Sequence, residues 1–164
     1  FSDMNFIIPE LVERIEITKG PYFAEQGDFA TAGAVWRLGA KRSWVVYGEN
    51  GLDEVSLKGT TLVAEVGSDC VDVFEINASD FDVFTLGKDL PIGCSSTESA
   101  NVIRAVISNE LSDKDAERLV LVNAAAALYV AGKADTLTDA YEIARESVRN
   151  GSALEKLKTL SAQK

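Results

Sequence analysis

Histidine is missing from all 164 residues of the chain. Its absence excludes Ser-His-Asp and Cys-His relays and any zinc held by imidazole. Cysteine is scarce, with only Cys70 and Cys94. A chain of this length can bury a core without covalent staples, so the pair reads as free thiols of a reducing, cytoplasmic setting. Positive charge is in deficit: 16 Lys and Arg stand against 26 Asp and Glu, for a net charge of −10 and a pI of about 4.5. That balance argues against a basic nucleic-acid face, and a phosphorylated ligand would need a cation or a local basic cluster to offset the field. No apolar run reaches the roughly 20 residues a membrane-spanning helix requires, and no stretch has the make-up of a signal peptide. The first residue is Phe1 rather than Met, as expected of a piece of a longer chain.

What is present is ordinary globular composition, 46% hydrophobic and 26% charged, which suits one domain or part of one. The most informative stretch runs from Ser43 to Ser56. Ser43-Trp44-Val45-Val46-Tyr47-Gly48 is a short apolar run bounded by glycine and reads as a buried strand. Asn50-Gly51 then signals a turn, because both residues tolerate positive φ. Past the turn come two adjacent carboxylates, Asp53 and Glu54, beyond the C-terminal end of the strand. Ligands of open α/β sheets bind at that edge. Two loop carboxylates suit Mg²⁺, which keeps several waters and bridges to a substrate phosphate. The same pair also fits a plain solvated turn.

The expected fold is α/β: an open, mainly parallel sheet with an antiparallel hairpin, flanked by helices. Residues 1–33 form an N-terminal segment of uncertain kind, and residues 34–164 an α/β domain with C-terminal helices. Pro9 is expected to open a helix striped with Leu11, Val12 and Ile15, and a second helix is expected over Asp28–Leu38. Gly27 to Gly33 is a loop and helix cap rather than a phosphate cradle, since no P-loop spacing follows. Thr60–Val66 and Val71–Ile76 read as strands joined by hairpin chemistry at Gly67-Ser68-Asp69. On the second of them, Val71, Val73 and Glu75 share one face, and Asp72, Phe74 and Ile76 the other.

From Ser95 the period becomes helical. Ser95 with Glu98 forms a capping box ahead of a stripe of Val102, Ile103, Val106 and Ile107. Ser112 with Asp115 opens the next helix, whose run from Leu119 to Ala131 is apolar except at Asn123 and is therefore expected to be buried all round. Thr136 with Asp139 opens a third helix reaching about Arg149, and Ser152 with Glu155 caps a fourth. A lone amide such as Asn123 must hydrogen-bond, because burying it unpaired costs about 1–3 kcal/mol. It is read as bonding a neighbouring loop or helix rather than a ligand.

Three blocks carry a family resemblance. Val45-Val46-Tyr47-Gly48-Glu49-Asn50-Gly51-Leu52-Asp53-Glu54-Val55-Ser56 resembles the Asp-Glu motif of anthranilate phosphoribosyltransferases. Leu121-Val122-Asn123-Ala124-Ala125-Ala126-Ala127-Leu128-Tyr129-Val130-Ala131-Gly132 is similar to that family's Asn-Ala-rich helix. Ala144-Arg145-Glu146 followed by Ser152-Ala153-Leu154-Glu155-Lys156-Leu157 is similar to its last two helices. Order and spacing agree over residues 34–164. Thymidine-type nucleoside phosphorylases share the fold without sharing both long motifs this closely.

The resemblance implies the C-terminal half of a nucleoside phosphorylase/phosphoribosyltransferase-type fold. It implies a transferase that moves phosphoribosyl from phosphoribosyl pyrophosphate to anthranilate in tryptophan biosynthesis, with Mg²⁺ held by Asp53 and Glu54. The family's Gly-Thr-Gly-Gly-Asp, Lys-His-Gly-Asn and Asn-Pro-Ala segments have no counterpart here, and Ile17 to Thr31 has none in the family. The isolated chain is therefore expected to be inactive and, with a sheet edge and an apolar face uncovered, to form a homo-oligomer. The alternatives are a non-catalytic α/β assembly module, or a fragment of a related pyrimidine nucleoside phosphorylase.

Overall fold

A computed structural model describes residues 16–18, 34–36, 42–49, 51–67, 71–84, 95–110 and 114–162. The chain divides into two compact units: residues 1–43 with 66–70, and residues 44–65 with 71–164. In the first, β1 (Glu16–Thr18) pairs antiparallel with β2 (Ala34–Trp36), with Ile17 opposite Val35. The helix expected over Asp28–Leu38 is thus corrected at residues 34–36. Val35 and Trp36 favour an extended backbone, and pairing with Ile17 and Glu16 satisfies it. The helix expected from Pro9 and the loop at Gly27 to Gly33 lie outside the described residues.

The second unit holds, except for the end residues Ser43 and Val66, the strands β3 (Ser43–Gly48), β4 (Thr61–Val66) and β5 (Val71–Ile76), in that spatial order, so each strand lies beside its neighbour in sequence. Glu49 N donates to Thr60 O at 2.9 Å, tying the end of β3 to the approach to β4. These three strands are antiparallel and represent the hairpin part of the expected sheet. Parallel neighbours for them are not among the described residues.

Alternation sorts the two faces. Trp44, Val46, Val63 and Ile76 turn to the core, and Trp44 meets Phe74 edge-on at 5.6 Å and Tyr129 at 5.5 Å. Trp44 Nε1 also donates to Glu65. Val45, Tyr47, Val71 and Val73 are each more than half exposed on the other face. β3 is therefore half-buried rather than buried, a correction that follows from core packing on one side only.

Four helices follow: α1 (Ser96–Ile107), α2 (Lys114–Val130), α3 (Leu137–Arg149) and α4 (Ser152–Ser161). Ser95 caps α1 in the expected box, its own N–H donating to Glu98 at 2.8 Å. Of the α1 stripe only Val106 is buried, and Ile103 is exposed. α2 buries Leu121, Val122, Ala125 and Ala126 against Ala140, Tyr141, Ala144 and Val148 of α3. Small alanines at 125, 140 and 144 allow the two helices to approach closely.

α2 is not buried all round, because Ala124 and Ala127 face solvent. An exposed methyl costs little, so a run of alanine does not report burial. Gly132, at φ 67°, ends α2, and Thr136 Oγ1 accepts from Asp139 N at 3.0 Å to begin α3. α4 is capped by Gly151 rather than by Ser152. The φ of 83° at Gly151 turns the chain one residue earlier, leaving Ser152 in the first turn with its hydroxyl donating to Asn150 and Ser147. A 3-10 turn, Ala78–Phe81, closes the core between sheet and helices. Phe81 and Val63 are fully enclosed, each contributing about 1.5–3 kcal/mol by removal from water.

Candidate metal site

The loop from Glu49 to Thr60 joins β3 to β4 and carries Asp53 and Glu54. Its start is a tight reversal: Gly51 N donates to Gly48 O at 2.8 Å, and Gly48 N donates to Leu52 O at 2.8 Å. Gly51 takes φ 83°, the conformation for which the sequence placed glycine there. Asn50 lies outside the described residues.

The far side of the loop is buried. Val55, Ser56 and Leu57 are 1%, 0% and 6% exposed, because Val55 and Leu57 belong to the apolar core. Ser56 satisfies its polar groups locally, N–H to Thr61 Oγ1 at 2.9 Å and Oγ to Lys58 O at 2.7 Å. The Glu49 carboxylate accepts from Thr60 N at 3.0 Å and Thr60 Oγ1 at 3.1 Å. Those two bonds favour its charged form and hold its carboxyl below the usual range.

Between the reversal and the buried segment lie only Asp53 and Glu54. Asp53 is exposed and Glu54 half-buried. Burial, and then the neighbouring Asp53 carboxylate, push the Glu54 carboxyl up. Two carboxyl groups, one short of water and facing the charge of the other, favour a cation. Among the described residues no cluster of three or more Cys, Asp or Glu is placed to hold a metal. Two carboxylate side chains alone would leave the remaining positions around a cation open, a composition suited to an ion that keeps water and phosphate ligands.

Asn123, on α2, reaches this loop. Its Oδ1 accepts from Val55 N at 2.8 Å, and its Nδ2 donates to Val55 O at 3.0 Å and to Leu119 O at 2.9 Å. The amide makes the structural bond expected of it, and the bond falls on the residue directly after the acidic pair.

The glycosyl transferase family, a/b domain, matches residues 24–154. The chain belongs to that family. It is 41% identical over 124 residues to an anthranilate phosphoribosyltransferase of Rubrobacter xylanophilus, covering 75% of this chain and 36% of that protein. It is 36% identical to the enzyme of that name from Thiobacillus denitrificans over 77% of this chain and 36% of the relative. Among solved structures it superposes on anthranilate phosphoribosyltransferase from Thermus thermophilus with a TM-score of 0.62 at 31% identity, over 77% of this chain and 36% of that one. It superposes on the Saccharomyces cerevisiae enzyme in complex with PRPP and Mg with a TM-score of 0.58 at 27% identity, over 70% and 33%. The chain thus spans about a third of the length of these relatives. As a member of the family, it carries the phosphoribosyltransferase and phosphorylase type of fold expected from its motifs.

Proposed function

We propose that the chain is the C-terminal part of an anthranilate phosphoribosyltransferase, in which Asp53 and Glu54 hold Mg²⁺ against the pyrophosphate of phosphoribosyl pyrophosphate. The observation that carries this reading is the pair itself: adjacent carboxylates past the end of β3, one exposed and one half-buried, on a loop pinned on both sides. Mg²⁺ bound there supplies positive charge where negative charge gathers on the leaving pyrophosphate. The carboxylates bind and orient the ion and move no proton. With a net charge of −10 on these 164 residues, such a cation would ease the approach of a polyphosphate.

Similarity to the relatives supports phosphoribosyl pyrophosphate and anthranilate as substrates of the whole protein, and the acidic balance of the chain argues against a nucleic-acid partner. Among the described residues no helix is long and apolar enough to cross a membrane. The cytoplasmic assignment is supported instead by two cysteines read as free thiols of a reducing setting. The outer sheet face bearing Val45, Tyr47, Val71 and Val73 supports self-association of the isolated chain. Sedimentation at high concentration should find more than the monomer, and a lone monomer would refute that.

Mg²⁺ titration followed by amide NMR tests the cation reading. Saturable shifts confined to residues around 53 and 54, lost in Asp53→Asn, are expected. Weak, unsaturable shifts spread over many acidic residues would favour a solvated turn on a non-catalytic module. Assayed with phosphoribosyl pyrophosphate, Mg²⁺ and anthranilate fluorescence, the 164-residue chain alone should show little or no turnover. Full turnover would refute the partial-enzyme reading.

A further inference from the structure

We propose that Asn123 is the positioning residue of the acidic pair, aiming the Asp53 and Glu54 carboxylates by gripping the backbone of Val55. The inference rests on the cation reading above for its purpose, but its geometry stands alone. Asn123 engages both the N–H and the C=O of one residue, 68 positions away in sequence. The N–H belongs to the peptide unit joining Glu54 to Val55, and the C=O to the unit joining Val55 to Ser56. Fixing both planes fixes the direction in which the chain leaves Glu54.

The other end of the pair is fixed by Gly48 N on Leu52 O. Asp53 and Glu54 are therefore the only residues between two anchored carbonyl and amide groups, one anchor local and one brought by α2. The third bond of Asn123, to Leu119 O one turn back, uses its second N–H and locks its own rotamer. Both amide hydrogens and the oxygen are engaged, an arrangement a residue retained only for helix packing would not require. An apolar side chain of similar size would fill the space equally well and leave the Val55 backbone ungripped.

The test compares the wild-type chain with Asn123→Leu, Asn123→Ser and Val122→Ala. Val122 is fully buried on the same helix but is not part of the grip, so its truncation loosens the fold without releasing Val55. In the ion-free chain, ¹⁵N relaxation should show Asp53 and Glu54 losing order in both Asn123 variants and keeping it in Val122→Ala. In a Mn²⁺ titration followed by paramagnetic broadening, the Asn123 variants should bind on the order of tenfold or more weaker, the loss typical of removing a support behind a metal ligand. Val122→Ala should bind as wild type does. If Asn123→Leu does not fold, the shorter, polar Asn123→Ser carries the comparison. Unchanged order at 53 and 54 in the Asn123 variants, or an equal loss in Val122→Ala, overturns the proposal. A wild-type chain that takes up no Mn²⁺ sinks the cation reading alone, and the positioning claim is then decided by the ion-free order.

Discussion

A Cβ placed on Gly59 would stand 2.5 Å from Oε2 of Glu49. The same oxygen receives both bonds from Thr60, so a side chain at Gly59 would have to displace the carboxylate that makes them. Gly59 also takes φ 68°, where an L side chain costs about 1–2 kcal/mol.

Gly59→Ala should therefore be more destabilising than Gly51→Ala. Gly51 has a similar φ of 83°, but a Cβ there meets nothing within 4 Å. Urea unfolding of the two variants separates the backbone cost, shared by both, from the displacement of Glu49, which belongs to Gly59 alone. Equal losses would show that the Glu49 contact is immaterial.

Glu54 and Glu49 should make opposite contributions to the pH dependence of stability. The folded state raises the Glu54 carboxyl, so it binds its proton more tightly than the unfolded chain does. Stability from this group then falls as pH rises from the ordinary carboxylate value through the raised one. Glu54→Gln should raise Tm at neutral pH while abolishing ion uptake, and the gain should vanish in acid. Glu49 is held low, so its contribution is present above the ordinary value and is lost as pH falls through its folded value. Thermal melts of Glu54→Gln and Glu49→Gln from acid to neutral pH would show the two signs, and a Glu54→Gln chain less stable at neutral pH would contradict the assignment.

The seam between α2 and α3 is closed to solvent. Ala125 and Ala140 are both 0% exposed. Ala140→Leu should cost about 1–3 kcal/mol by overpacking. Phe81→Ala, in the 3-10 turn that packs into the same core, should cost about 3–5 kcal/mol through the cavity it leaves. Denaturant midpoints measure both, and a neutral Ala140→Leu would mean the helices separate freely.

Where burial and turn chemistry agree, the sequence was easy to read. Ser43–Gly48 and Val71–Ile76 appear with the expected bounds, Ser95 and Thr136 cap the helices they were expected to cap, and Asn123 bonds a neighbouring loop. The errors have physical causes. Val35 and Trp36 sit at helical spacing from Phe29 and Ala32, yet pairing with β1 decides their conformation, and pairing is not local. The alanines of α2 count as apolar in a pattern but bury little, so exposure at Ala124 and Ala127 was invisible. Ser152 resembled a cap because the left-handed turn at Gly151 is not written in the spacing of Ser and Glu. The role of Gly59 depends on where Glu49 folds back across the loop, a contact that no periodicity records.

The central claim is that Asp53 and Glu54 hold a divalent ion that in turn holds pyrophosphate. Mn²⁺ broadening of amide resonances, recorded without and then with inorganic pyrophosphate, tests it most directly. The account predicts broadening centred on residues 53 and 54, tightened by pyrophosphate and abolished in Asp53→Asn. Broadening that centres elsewhere, or that pyrophosphate strips from these residues, would contradict it.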